Sequence, residues 1–265
     1  MSIIENNNLI VVKVGTSTLT YDGGGINIRR VEKLVKVLSD IKNSGKRIIL
    51  VSSGAISVGM GKLGIAKRPE STRDKQALAA IGQCELMDYY ARLFGEYNHN
   101  VAQILLTKDV VSDKIRRTNA ENTFKRLLDL GVVPIVNEND VISTEQIEFG
   151  DNDTLSATVA KLANAYLLII LSDIDGLYSD DPSKNPEAEL IREINGVNDY
   201  IMSLAGGTGS NRGTGGMITK LHAAKYANNA GIDMVIANGS NPDILYDITE
   251  GKRCGTIFLS PEKED

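Results

Sequence analysis

The chain has 265 residues, 42% of them hydrophobic, and a formal net charge of −5. That length allows one large domain or two small ones, and that much apolar side chain closes a core without disulfide or metal staples. The 29 basic residues are scattered, which excludes the clustered basic face of a nucleic-acid binder. Cys84 and Cys254 lie far apart and form no CxxC pair, which suits a reducing compartment. Residues 1–8 carry Glu5 and no apolar stretch, so they do not read as a signal peptide. The longest apolar run, residues 165–171, is far short of the roughly 20 residues that span a bilayer. A soluble, cytoplasmic protein with no membrane or nucleic-acid partner is expected.

In chain order, Leu9–Val14 reads as a buried strand. Residues 29–43 place Val31, Leu34, Val35, Leu38 and Ile41 at helical spacing, and Gly45 closes that helix. Arg47–Val51 is a second strand, and residues 71–97 form a long helix with Gly82 as a candidate interruption. Val101–Leu106 is a third strand, 116–130 a helix ended by Gly131, and 132–136 a fourth strand. Residues 137–150 are irregular, with room for a short hairpin. A helix over 151–164, an apolar strand over 166–171, a helix over 215–230, a strand over 232–237 and the strand Thr256–Leu259 complete the chain. Strands that alternate with helices, and are apolar throughout, give an α/β fold: an open, mostly parallel sheet covered on both faces. Sites in such sheets lie beyond the carboxyl ends of the strands, and that is where the polar strings fall.

Lys13 ends an otherwise apolar strand and precedes Gly15, Thr16 and Ser17. A lysine there is costly to bury unless it meets an anion such as phosphate; the alternative is an edge lysine reaching out to water. Ser53 and Gly54, after the second strand, offer donors to a carboxylate or phosphate at a helix N-terminus, or a plain helix cap. In Asn137-Glu138-Asn139-Asp140, the Asp140 carboxylate is placed to accept from an ammonium group, unless the loop is simply solvated. Gly150-Asp151-Asn152-Asp153 opens a helix with more acid and amide than a cap requires: Asn152 can donate to a substrate carboxylate, and Asp153 can hold lysines. It is not a calcium loop, because the glycine and glutamate at the sixth and twelfth positions are missing. Ser172 and Asp173, followed by Asp175, Asp180 and Asp181, line a nucleotide or form an ordinary turn. Residues 205–216 are rich in glycine and run through Thr214, Gly215, Gly216 and Met217 into a helix start with Lys220 in its first turns, an anion site with a lysine beside it. That loop lacks the Walker A pattern. The literal GxGxxG at Gly59–Gly64 lies in a helix–loop segment and not at a strand–helix turn, so it is discarded as a dinucleotide fingerprint. His99 and His222 read as turn and surface residues, and no histidine-based metal site is expected.

Together these residues give two lysines for phosphate, an aspartate to orient them, and polar loops for a second small ligand. No general base stands among them, which suits a carboxylate acceptor already ionised at neutral pH. The strings Val12–Ser17, Ser52–Ile56, Val136–Asp140, Gly150–Asp153, Ser172–Asp173 and Gly213–Lys220 resemble the glutamate 5-kinase branch of the amino-acid kinase family, over essentially residues 9–259. The resemblance implies a three-layer α/β/α sandwich forming a single kinase domain over 1–265. It implies that Lys13 and Lys220 stabilise the transferring phosphoryl group while Asp153 organises them. Ser53, Gly54, Asp140 and Asn152 would hold L-glutamate. Lys13, Gly15, Ser172, Asp173, Thr214, Gly215, Gly216, Met217 and Lys220 would contact ATP. Mg2+ would travel on ATP, near Asp151 and Asp153, with no purely protein-held metal. Feedback inhibition by proline, a dimer or tetramer, and contact with glutamate-5-semialdehyde dehydrogenase are also implied. Many members of this branch carry a C-terminal PUA domain, which is expected to be missing here. Ser52 and Ser172 stand where threonine is common in the branch, and both keep the hydroxyl.

Overall fold

The computed structural model describes residues 8–107, 109–142, 152–205 and 216–261. In chain order, β1 (Leu9–Val14) leads through α1 (Thr16–Leu19) and α2 (Ile28–Asn43) to β2 (Arg47–Val51). Then come α3 (Ala55–Leu63), α4 (Thr72–Gly95), β3 (Val101–Leu106), α5 (Asp109–Ser112), α6 (Lys114–Asp129) and β4 (Val133–Glu138). The second half runs α7 (Asn152–Leu162), β5 (Leu167–Ser172), β6 (Glu193–Asn195), α8 (Asp199–Leu204), α9 (Met217–Asn228), β7 (Asp233–Asn238), α10 (Ile244–Thr249) and β8 (Thr256–Leu259). The strands form one sheet in the order β3-β4-β2-β1-β5-β7-β8-β6. All pairs from β3 across to β7 are parallel; β8 runs antiparallel to β7 and pairs in parallel with β6. This is the expected open, mostly parallel sheet.

The alternation of side chains along β1 sorts the two faces. Leu9 and Val11 join Phe124, Leu155, Val159, Leu221 and Ala224, under α6, α7 and α9. Ile10, Val12 and Val14 join Leu34, Leu38, Leu86 and Phe94, under α2 and α4. Lys13 has the same parity as Leu9 and Val11, so the sheet aims it at the α7 and α9 side. From β1 the chain moves to one side of the sheet through β2, and it later returns to the other side of β1 as β5. That reversal makes the β1–β5 edge the topological switch point, where open α/β sheets place their ligands.

Helix α4 is continuous through Gly82, so the expected interruption is absent. Gly82 is needed for packing instead. A Cβ there would strike the Ala55 carbonyl oxygen, and one at Gly59 would strike that of Leu78, so α3 and α4 touch backbone to backbone. Two of the glycines in the discarded GxGxxG string are thus contact glycines: Gly59 against α4, and Gly61 against the backbone of Gly24. Strand β4 extends through Asn137 and Glu138, two residues further than expected, which fixes the Asn137 side chain in the sheet. The helices α1, α5, α8 and α10 and the strand β6 have too few residues to show a periodicity. Among the described residues no helix is long and apolar enough to cross a membrane.

Gly82→Ala should destabilise the fold by about 1–3 kcal/mol, since backbone must shift to admit the methyl group. Gly95→Ala, where an added Cβ meets nothing within 4 Å, should be neutral or stabilising by up to about 1 kcal/mol through helix propensity. Urea unfolding of both variants checks the contrast; equal stabilities would show that the α3–α4 contact can relax.

Candidate active site

Three charged side chains meet at the carboxyl end of β1. Asp153, in the first turn of α7, places Oδ1 2.8 Å from Lys13 Nζ. Its Oδ2 lies 3.1 Å from Lys220 Nζ, on the first turn of α9. Relative exposures are 0% for Asp153, 4% for Lys13 and 5% for Lys220. The Thr219 hydroxyl lies 3.1 Å from Asp153 Oδ2 and 2.8 Å from the Gly216 carbonyl, so it braces the carboxylate against the start of α9. Among the described residues, two ammonium groups share this one carboxylate. The N-termini of α7 and α9 add their positive partial charges. Two lysines and two helix N-termini converging on one point are suited to an anion such as phosphate.

A second cluster, of amides and hydroxyls, lies beside it. Asn152 Nδ2 donates to the Ser52 carbonyl at 2.6 Å, and lies 2.8 Å from Ser53 Oγ and 3.0 Å from Asn137 Oδ1. Because a carbonyl can only accept, the Ser52 contact fixes which way the Asn152 amide faces. The NH2 group of Asn152, expected to donate to a substrate carboxylate, ties α7 to the turn after β2. The Ser53 hydroxyl accepts from Asn152, which leaves its own proton to donate elsewhere. Gly54 follows with φ +88° as the N-cap of α3, and no side chain caps that helix, so its first N–H groups are directed at the same space. Asn137 Oδ1 also accepts from the backbone N–H of Glu138 at 2.9 Å, and Asn137 Nδ2 donates to Gln83 Oε1 at 2.9 Å. Ser52 Oγ lies 2.9 Å from the hydroxyl of the wholly buried Tyr90, whose phenol burial pushes up to about 12. Asp140, half-buried just beyond β4, is raised to about 6, first by burial and then by repulsion from Glu138, with Arg68 opposing both.

The side toward β5 and β7 holds the residues expected to meet a nucleotide. Ser172 ends β5 and donates to Asp173 Oδ1 at 3.1 Å; Asp173 itself is exposed. The Gly239 N–H donates to the Ser172 carbonyl at 2.7 Å, and Asn238 Nδ2 donates to Asp175 Oδ1 at 2.8 Å, so the ends of β5 and β7 are held together. A Cβ at Gly15 would stand 3.9 Å from Lys13 Nζ, so the backbone of Gly15 runs beside that ammonium. Gly216 caps α9 in an extended conformation, and Met217 packs against the core beneath it. Asp180, exposed, and Asp181, half-buried, hold their own loop through Asn185 and Ser183, as an ordinary turn does. Asp151, Thr214, Gly215 and the glycine loop over 206–215 lie outside the described residues.

A separate groove of about 690 Å³ lies between α2, α4 and α10 on the opposite face of the sheet. Its three basic residues, Arg29, Lys33 and Lys36, are matched by Glu32, Glu96 and Asp243, so it offers no surplus charge to a triphosphate. Among the described residues no cluster of His, Cys, Asp and Glu could hold a metal ion. The Asp153 carboxylate, near which magnesium on ATP was expected, is engaged by Lys13 and Lys220. Sequence reasoning passed over Gln83, Tyr90 and Thr219. The first two sit in a long helix, and nothing in their spacing marks them as facing the strand ends.

Residues 8–238 match the amino acid kinase family. The chain is 55% identical over 265 residues to the glutamate 5-kinase of Clostridium perfringens (strain 13 / Type A), covering 98% of both chains. It is 52% identical to the glutamate 5-kinase of Listeria innocua serovar 6a, covering 98% of this chain and 96% of that one. Among solved structures, the UMP kinase of Bacillus anthracis aligns with a TM-score of 0.65 at 17% identity over 96% of each chain, a likeness of fold.

Asp153→Asn should cost about 3–5 kcal/mol of stability, because it leaves two buried ammonium groups without their carboxylate. Lys220→Met should cost less, since Asp153 keeps Lys13. Urea unfolding without nucleotide checks the order; a more stable Asp153→Asn would contradict the bridging role.

Proposed function

This chain belongs to the amino acid kinase family, in its glutamate 5-kinase branch, and from the geometry around Asp153 we propose how its residues carry out that branch's reaction. The reaction is the ATP-dependent phosphorylation of the side-chain carboxylate of L-glutamate to L-glutamyl 5-phosphate and ADP, which opens proline biosynthesis. The observation that carries the proposal is the buried Lys13–Asp153–Lys220 bridge, two lysines held side by side at the carboxyl end of β1.

A carboxylate oxygen of glutamate attacks the γ-phosphorus of ATP, and the bond to the β,γ-bridging oxygen breaks with its electron pair leaving on ADP. The acceptor is already ionised, so no proton is removed and no general base is required. The protein's task is positioning and charge. Lys13 and Lys220 neutralise charge on the transferring phosphoryl group and the leaving oxygens, in a site where water is largely excluded and such contacts are strong. Asp153, held between them, keeps the two like charges apart and aimed.

Glutamate lies over the turn after β2. The Ser53 hydroxyl and the N–H groups at Gly54 and the start of α3 donate to a carboxylate, and Asp140 accepts from the ammonium group. Asn152 serves the same pocket by fixing Ser53. ATP lies toward β5, with Gly15, Ser172, Asp173, Thr214, Gly215, Gly216 and Met217 beside it. Magnesium enters on the phosphates of ATP, as the engaged state of Asp153 favours. Kinship with the branch supports feedback inhibition by proline, assembly into a dimer or tetramer, contact with the dehydrogenase that consumes the product, and a cytoplasmic location.

The test is an acceptor and pH series with ATP. L-Glutamate should turn over and N-acetylglutamate should not, because a blocked nitrogen brings no ammonium to Asp140. The KM for glutamate should rise as pH falls through about 6, where Asp140 takes up a proton and can no longer accept from the ammonium group. Turnover of N-acetylglutamate alone would overturn the acceptor reading. A flat glutamate KM between pH 7.5 and 5.5 would remove Asp140 from it.

A further inference from the structure

Gln83 lies at mid-length in α4, half-buried, and belongs to no strand-end string. Its Oε1 accepts from Asn137 Nδ2 at 2.9 Å. Asn137 is 2% exposed, so an amide proton left without that acceptor would be costly. The polarity of the chain of bonds running from Gln83 is fixed at two backbone points. The Glu138 N–H forces Asn137 Oδ1 to face inward, which sends Asn137 Nδ2 to Gln83. The Ser52 carbonyl forces Asn152 Nδ2 toward β2, which presents it to Asn137 Oδ1 and to Ser53 Oγ. Ser53 therefore accepts on one side and has its proton for the substrate side. Reversing any amide in the series would set two acceptors or two donors face to face.

We propose that Gln83 is a positioning residue for glutamate: by accepting from Asn137 Nδ2 it holds Asn137, and through it Asn152, in the orientation that the backbone sets, and so steadies the Ser53 hydroxyl for the substrate. This deepens the reading of the glutamate pocket given above and rests on it, since it requires that Ser53 donate to the substrate. Gln83 itself touches no reacting atom. The elements it links are distant in the chain: α4 supplies Gln83, β4 supplies Asn137, α7 supplies Asn152, and the turn after β2 supplies Ser53. The α3–α4 contact at Gly59 and Gly82 sets the distance between this helix and that turn. The relay thus makes the glutamate pocket depend on a helix that the nucleotide side does not use, so its loss should fall on glutamate alone.

The experiment is a double-mutant cycle read by steady-state kinetics. Gln83→Met keeps the length of the side chain and its helix propensity but removes the acceptor oxygen; Gln83→Leu is the second variant. Each is measured in the native and in the Ser53→Ala background, with thermal unfolding recorded for all. In the native background the KM for glutamate should rise about tenfold, the scale of one lost hydrogen bond. The KM for ATP should stay within about twofold, and the same substitutions in the Ser53→Ala background should add less than about twofold, because contacting residues in one network are not additive. If Ser53→Ala alone leaves the glutamate KM unchanged, Ser53 is no substrate donor, and the pocket reading falls together with the relay. If Ser53→Ala raises it but the Gln83 variants do not, the relay alone is overturned. An equal rise in both backgrounds, or an equal rise in the KM for ATP, also overturns the relay.

Discussion

Asp153 is a carboxylate sealed inside the protein between two sealed ammonium groups. Such a group is tolerable only when its partners arrive with good geometry, and much of the fold serves that requirement. Strand β1 delivers Lys13 on the face that looks toward α7 and α9, because its side chains alternate and its neighbours Leu9 and Val11 belong there. Helix α7 delivers Asp153 in its first turn, and α9 delivers Lys220, with Thr219 bracing the carboxylate. The return of the chain to β5 brings α7 across to β1 at the switch point. The two lysines this cluster holds side by side are what a transferring phosphoryl group can use.

The glutamate pocket follows a different rule. Its groups are neutral amides and hydroxyls, so direction matters more than charge. Backbone donors and acceptors at Glu138 and Ser52 set the polarity of Asn137 and Asn152, and these set Ser53. Tyr90 holds Ser52 from beneath. Contact glycines let α4 approach closely enough for Gln83 to reach Asn137. The pocket is therefore ordered before substrate arrives, which limits the entropy lost on binding. Asp140 is the charged exception, and its burial beside Glu138 makes an arriving ammonium group the natural relief.

The sheet was legible because its strands are short apolar runs set between periodic helices; its order was not, since order depends on crossovers that no local pattern encodes. Lys13 was visible as a lysine where an apolar strand ends, and Asp153 as one acid too many for a helix cap. That the two meet, 140 residues apart, is a fact of topology, and the roles assigned to them came through family resemblance. Asn152 was placed in the pocket, but its tie to the Ser52 carbonyl was not legible, because that carbonyl lies on another element. Gly82 looked like a helix breaker because a glycine's cost is local, whereas the benefit of a close helix contact appears only in three dimensions. Gln83 and Tyr90 carried no signal, being ordinary residues of a long helix.

The account stands most directly on the charge that Lys220 brings to the reaction. The measurement is the turnover of Lys220→Ala with saturating ATP and glutamate, on protein shown by its thermal transition to be folded. Turnover should fall by about 10²–10³, the scale on which loss of one preorganised transition-state donor acts. A near-native rate would contradict the account, because the buried bridge would then be a structural ion pair with no part in phosphoryl transfer.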